Sequence, residues 1–133
     1  MTTAHLMDRL LDCFGSEPEA RERVHRQSTY YVAIAELGYE LFSTLRQEPE
    51  TPWCRQFLEV LEGALQGGDP ETRNLIAVGL FESLQSQSYR LGPPDLLESR
   101  LGPLSLGVWS DLMEGWCGGG IRRVADWRAS SKD

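Results

Sequence analysis

The 133-residue chain has few cysteines, two histidines and no long apolar run. Its longest stretch without a polar or charged side chain is seven residues, 75–81, whereas a membrane-spanning helix needs about 20. The first residues do not join a basic segment to an apolar one, so no secretory signal is predicted. Three scattered cysteines in such a chain indicate reduced, mostly buried thiols, and we therefore expect a cytoplasmic protein.

The sequence also lacks the motifs that mark common catalytic and metal sites. Neither His5 nor His25 lies in a His-Glu-x-x-His pattern, and Cys13, the cysteine nearest to a histidine, is eight residues from His5. Zinc ligands gather at short spacings, so we expect no metal and no cofactor. The glycines Gly118–Gly120 precede the pair Arg122–Arg123, but they follow a predicted helix rather than a strand. A helix stop is therefore favoured over a phosphate-binding loop.

Lysine is almost absent, and acidic residues outnumber basic ones by 20 to 13. The net charge of −7 disfavours binding to nucleic acid phosphates or to an anionic membrane surface. The arginines of residues 19–26 alternate with glutamates, which is typical of a helix face with i,i+4 ion pairs. The charge balance instead favours a protein partner with a basic surface.

No segment alternates apolar and polar residues with β-branched enrichment, so no strand is predicted. Apolar spacing and Gly and Pro stops predict helices instead, with helix caps expected at Thr2 or Thr3, at Thr51 and at Asp69. The expected ranges are 2–14, 17–27, 28–47, 52–66, 70–86, 94–99 and 103–117. Short loops place neighbouring helices roughly antiparallel. The sequence thus predicts an all-α fold, a single compact bundle of five to seven helices over residues 1–128 with a frayed tail at 129–133.

The helix predicted at about 70–86 is expected to lie at the centre of the bundle. Its segment Leu75–Phe81 is apolar on nearly every side, and such a helix is normally surrounded by others. Gly79 within it costs about 1 kcal/mol of helix propensity relative to Ala, which indicates a close helix crossing. Tyr31 and Trp109 are placed on the inward faces of their own helices.

Carboxylates provide the main candidate binding surface. Glu36 and Glu40 are four residues apart, Glu59 and Glu62 are three apart, and each pair points away from the apolar stripe of its helix. Simple solvation explains such pairs. The alternative is an acidic docking face, because neighbouring helices could bring all four carboxylates together. Trp127, in the polar C-terminal segment, is the best candidate for an exposed aromatic at a contact surface.

Three strings in the chain resemble a family of small bacterial helical proteins known as a domain of unknown function. They are "ETRNLIAVGLFESLQ" at 71–85, "LGP" at 101–103 and "WSDLMEGW" at 109–116. Members of that family carry a similar "RNLIAVGFLE-LQ" helix and a later "LGP" before a Trp-containing helix. The matching residues are mostly core apolars and turns, so the resemblance implies a helical fold and a bacterial origin. Some similar proteins look like immunity partners of secreted toxins, which implies toxin neutralisation here.

The leading hypothesis is a non-enzymatic bacterial immunity or antitoxin-like protein. It would bind and block a basic toxin domain encoded nearby, through the acidic face. One alternative is a helical adaptor or regulatory protein-interaction module. Another is a small-ligand-binding protein, or an enzyme whose residues meet only in the folded chain. A toxin gene immediately upstream would favour the first hypothesis, and a ligand in the purified protein would favour the last.

Overall fold

The computed structural model describes residues 1–15, 17–87, 91–92 and 94–118, except the side chains of 115–118. Every regular element in this part of the chain is a helix, so the all-α prediction is confirmed. The elements are α1 (Thr3–Cys13), α2 (Pro18–His25), α3 (Tyr31–Gln47), α4 (Pro52–Gly67), α5 (Pro70–Asn74), π1 (Leu75–Glu82), α6 (Ser83–Ser86), α7 (Asp95–Glu98) and α8 (Pro103–Gly118).

Two of the three predicted caps form as expected. The side chain of Thr2 accepts a hydrogen bond from the His5 N–H in α1, and Asp69 accepts one from the Thr72 N–H in α5. Thr51 does not cap α4 with its side chain, because its hydroxyl donates backwards to the Glu48 carbonyl at 2.7 Å. A short polar side chain before a helix can accept a bond from the first turn or donate one to a preceding carbonyl. The sequence pattern does not show which of the two bonds forms.

The predicted central helix is one continuous helical segment from residue 70 to 86, but its middle has π geometry. π1 lies between the short helices α5 and α6, and its flanking residues Asn74 and Ser83 keep right-handed helical backbone angles. π-helices are rare, and nothing in the composition of Leu75–Phe81 distinguishes it from an α-helix. The helix was therefore predicted in the right place with the wrong internal geometry.

π1 forms the centre of the core on one side and part of the surface on the other. Leu75, Ile76, Leu80 and Phe81 are at most 2% exposed, which confirms a buried central helix. Val78, however, is 40% exposed. The expectation that other helices surround Leu75–Phe81 is met only in part, because π1 packs against α3 and α8 and leaves the side that carries Val78 open.

The crossing of α3 and π1 depends on two glycines. A Cβ added to Gly79 would lie 2.9 Å from Ile34 Cγ2 and 3.0 Å from Tyr31 Cδ1, and one added to Gly38 would clash with Leu80 Cδ1. The Ile34 and Leu80 side chains, which these added Cβ atoms would meet, have little room to move aside because both are fully buried. The close approach that Gly79 indicated in the sequence is thus present.

Replacing Gly38 with Ala is expected to destabilise the protein by about 1–3 kcal/mol, because the added methyl overpacks a filled crossing. Gly63→Ala is the matched control, since Gly63 is an exposed residue of α4 whose Cβ would meet nothing within 4 Å. That change should stabilise the protein by about 0.5–1 kcal/mol through helix propensity. Urea unfolding of both variants measures the difference. Equal stability of Gly38→Ala and the wild type would contradict the close crossing.

Candidate functional site

The predicted acidic residues of α3 lie on its outer surface. Glu36 and Glu40 are exposed, and neither forms an ion pair within the described residues. Val32 precedes Glu36 by one helical turn and is 62% exposed, so the three side chains follow one line along the helix. We call Glu36 and Glu40 the acidic stripe.

Glu59 lies on α4 beside an open groove. The groove has a volume of about 580 Å³ and extends from α4 to residues 99–102. Arg55 and Arg100 also line it, and Cys54 lies at its floor. Glu59 is exposed, as the sequence predicted. The charged residues that line the groove with it include Arg55 and Arg100 as well as carboxylates.

The sequence favoured a solvated carboxylate at Glu62, but in the structure this carboxylate is hydrogen-bonded to another helix. Its two oxygens accept hydrogen bonds from the backbone N–H groups of Leu104 (2.8 Å) and Ser105 (2.9 Å), and from the Ser105 hydroxyl at 2.8 Å. Glu62 therefore caps the first turn of α8 from a different helix. Gly102 leaves room for it, because a Cβ there would lie 2.6 Å from the Glu62 carboxylate.

The cap also changes the acidity of Glu62. Burial raises the pKa of this carboxyl, but the hydrogen bonds from Ser105 and Leu104 outweigh it, so the pKa lies below its ordinary value. A carboxylate with a lowered pKa in the folded state stabilises the fold above its unfolded pKa of about 4.3. That contribution is lost as the pH falls through the lowered pKa.

Glu62→Ala is expected to destabilise the protein by about 1–2 kcal/mol, since it leaves two N–H groups of α8 without their acceptor. Glu59→Ala is the matched control on the same helix and should change stability by less than about 0.5 kcal/mol. Urea unfolding at pH 7 and pH 3 tests both statements. The gap between Glu62→Ala and the wild type should narrow at the lower pH. A gap that widens on acidification would contradict the cap.

The fifth predicted binding residue, Trp127, lies outside the described residues. So do Arg122–Arg123 and the side chain of Trp116. Trp109, which the sequence placed inward, is fully buried, whereas Tyr31, which widened the predicted inward stripe, packs on π1 and is still 37% exposed. Tyr31 starts α3 where the helix begins three residues later than expected, and its ring lies across the surface of π1.

A polar network between α1 and α2 was not predicted from the sequence. His25 Nε2 lies 2.8 Å from Asp8 Oδ1, and His25 Nδ1 lies 2.8 Å from the Tyr30 hydroxyl. Arg21 pairs with both Asp8 and Asp12. The hydrogen bond from His25 lowers the pKa of Asp8; burial opposes this, and the positive charge of Arg21 adds to the lowering. α2 has no fully buried residue, so these contacts add to the packing of the partly buried Val24 against the core.

The cysteines in the described part of the chain are free. Cys54 is buried, Cys13 is half-buried, and burial raises the pKa of both thiols. This agrees with the prediction of reduced thiols for these two, while Cys117 lies outside the described side chains. Within the described residues, no three His, Cys, Asp or Glu side chains are grouped so that they could share a metal ion. None of the described helices combines the length and apolar character needed to cross a membrane.

One known protein family matches most of this chain. The model of the family described as Domain of unknown function (DUF7674) matches residues 7–116. The chain belongs to this family. The DUF7674 match includes both Glu pairs and ends before Trp127, and it confirms a relationship to a domain of unknown function. No curated protein and no solved structure matches the chain.

Proposed function

We propose that this DUF7674 protein is a non-enzymatic inhibitor of the immunity or antitoxin type, which binds and neutralises a basic toxin domain encoded by a neighbouring gene. The observation that carries the proposal is the acidic stripe, Glu36 and Glu40. Both carboxylates are exposed and without an ion pair in the described part of the chain, and they belong to a protein of net charge −7. Such carboxylates are available to a cationic partner.

The stripe is supported by a rigid base. α3 is one of the longest helices, and its opposite side buries Ile34, Leu41 and Leu45 in the core. A surface on a well-packed helix loses little conformational entropy when it binds, which favours affinity. Exposed charges on such a surface also steer a partner of opposite charge during its approach. An inhibitor that must act before a toxin reaches its target gains most from fast association.

Glu59 is the third member of the proposed acidic face, and Trp127 is proposed as an aromatic contact. Glu62 is left out of the charge-reversal experiment, because its carboxylate holds the start of α8. A Lys there would alter the fold and the binding surface together.

The experiment compares Glu36→Lys/Glu40→Lys with Glu17→Lys/Glu19→Lys, which makes the same change in net charge on exposed residues at the start of α2. Surface plasmon resonance against the purified product of the neighbouring gene measures association at low and moderate salt. The stripe variant should associate at least about tenfold more slowly at low salt, and the difference should shrink with salt. The α2 variant should associate at a rate closer to the wild type.

Co-expression gives the functional readout. The wild-type chain should restore growth of cells that produce the toxin, and the stripe variant should protect them less well. An absence of binding by the wild-type chain, or an absence of protection, would overturn the proposed function. Binding with equal rates for both variants would keep the function and move the contact away from the stripe, towards Trp127 and Arg122–Arg123.

A further inference from the structure

An exposed apolar patch lies at the N-terminal end of the acidic stripe. Tyr31 is 37% exposed, Val32 62% and Val78 40%, and they come from two different elements, α3 and π1. Tyr31 Cδ1 would lie 3.0 Å from a Cβ on Gly79, so its ring rests on π1. Asn74, whose side chain bonds the Tyr31 hydroxyl, lies four residues before Val78 on the same helical segment. We call Tyr31, Val32 and Val78 the anchor patch.

The Tyr31 ring is held in position from two sides. Its hydroxyl accepts a hydrogen bond from Asn74 Nδ2 at 2.6 Å, and Gly79 provides the space beneath the ring. An aromatic side chain that is already fixed loses little freedom when a partner covers it. Tyrosine is also among the residues that carry the most binding energy at protein interfaces. The patch therefore has the properties of a preformed anchor rather than of scattered surface valines.

We infer that the anchor patch and the acidic stripe form one docking surface, and that its occupant is a protein surface with an apolar side chain flanked by Lys or Arg. Charge complementarity decides the occupant. Val32, Glu36 and Glu40 follow one line at four-residue spacing, so a partner seated on the patch meets both carboxylates along the same helix. The inference rests on the proposed function for the identity of the natural partner, but not for the chemistry of the surface.

The two parts of the surface act on different rate constants. Carboxylates on the rim steer the approach, so their loss slows association. Apolar contacts form after docking, so their loss speeds dissociation. This division separates the contribution of the anchor patch from that of the stripe.

The test variant is Val32→Ser/Val78→Ser, and its control is Leu104→Ser/Leu106→Ser. The control residues are 45% and 38% exposed on α8, so both variants remove two exposed apolar side chains. Against the product of the neighbouring gene, the patch variant should dissociate at least about tenfold faster with an association rate within about twofold of the wild type. The α8 variant should match the wild type in both rates.

A second probe does not depend on the toxin. A synthetic amphipathic helix of Leu and Lys, and its Leu and Glu counterpart, are titrated into the ¹⁵N-labelled full chain. The Lys peptide should shift amide signals of residues 31–40 and 74–79, and the Glu peptide should leave them unchanged. Shifts from the Lys peptide that lie elsewhere, or equal shifts from both peptides, would overturn the inferred surface.

The combined outcomes distinguish the two claims. If the toxin binds and the patch variant dissociates like the wild type, the inferred surface is wrong and the proposed function stands. If the toxin does not bind but the Lys peptide shifts the predicted signals, the proposed function is wrong and the surface stands. If neither ligand binds, both are wrong.

Discussion

Replacing Phe81 with Asp is expected to abolish the folded protein. Phe81 is fully buried in π1, and its ring meets that of Trp109 edge-on at a centroid distance of 5.5 Å. Truncating a buried Phe alone costs about 3–5 kcal/mol. The new carboxylate would also be unpaired in an apolar surrounding, which adds several kcal/mol. Since a domain of this size has a stability of roughly 5–15 kcal/mol, the sum removes most or all of it.

Val78→Asp is the matched control for Phe81→Asp. It places the same charge in the same π-helix, but at a side chain that is 40% exposed. Far-ultraviolet circular dichroism and thermal melting should show a helical, cooperatively melting Val78→Asp variant and no such transition for Phe81→Asp. Leu80→Asp should behave like Phe81→Asp, because Leu80 is also fully buried. A normal melt for either core variant would contradict the assignment of π1 as the central helix.

The helices could be predicted because their signals are local. Asp69 precedes Pro70 at the start of α5, and Gly67 ends α4, so each boundary depends on residues within one turn. The π geometry of Leu75–Glu82 could not be predicted in this way. An α-helix of the same sequence would show the same apolar pattern, and the elements that pack against the segment, α3 and α8, are distant in sequence.

The roles of individual polar residues were harder to predict, because their partners are distant in sequence. Glu62 and Ser105 are 43 residues apart, and His25 and Asp8 are 17 apart. Helical periodicity correctly placed Glu62 off the apolar stripe of α4, but it carries no information about the start of α8. Glu36 and Glu40 are exposed, as helical periodicity predicted, because no other element in the described part of the chain covers that side of α3.

The anchor patch was missed for a related reason. The sequence placed Tyr31 on the inward side, since its spacing from Ile34 and from Phe42 fits the apolar face of α3. α3 begins at residue 31, so no further turn of this helix lies before Tyr31 and Val32, and both are exposed. An apolar pair at the first turn of a helix is the only local signal that could have indicated this.

Replacing Trp109 with Ala is expected to produce the second-largest loss of stability. Trp109 is the largest fully buried side chain in the described core, and it is the residue of α8 that packs on Phe81. Truncation of such a residue costs about 3–5 kcal/mol, from lost burial and from the cavity that remains. The backbone carbonyl of Trp109 also accepts a hydrogen bond from Gln85 Nε2 at 3.0 Å. That bond should survive the substitution, so the loss measures the ring alone.

Trp109→Phe separates ring packing from the indole N–H. Among the described residues, Trp109 Nε1 is buried and has no hydrogen-bond acceptor. A buried donor without an acceptor costs about 1–3 kcal/mol, and phenylalanine removes that donor. Its smaller ring leaves a cavity that offsets the gain, so the net loss should be at most about 2 kcal/mol. Urea unfolding should thus rank the wild type, Trp109→Phe and Trp109→Ala in clearly separated steps. If Trp109→Phe loses as much stability as Trp109→Ala, the indole N–H has an acceptor in solution, and α8 is held by a polar contact rather than by the ring.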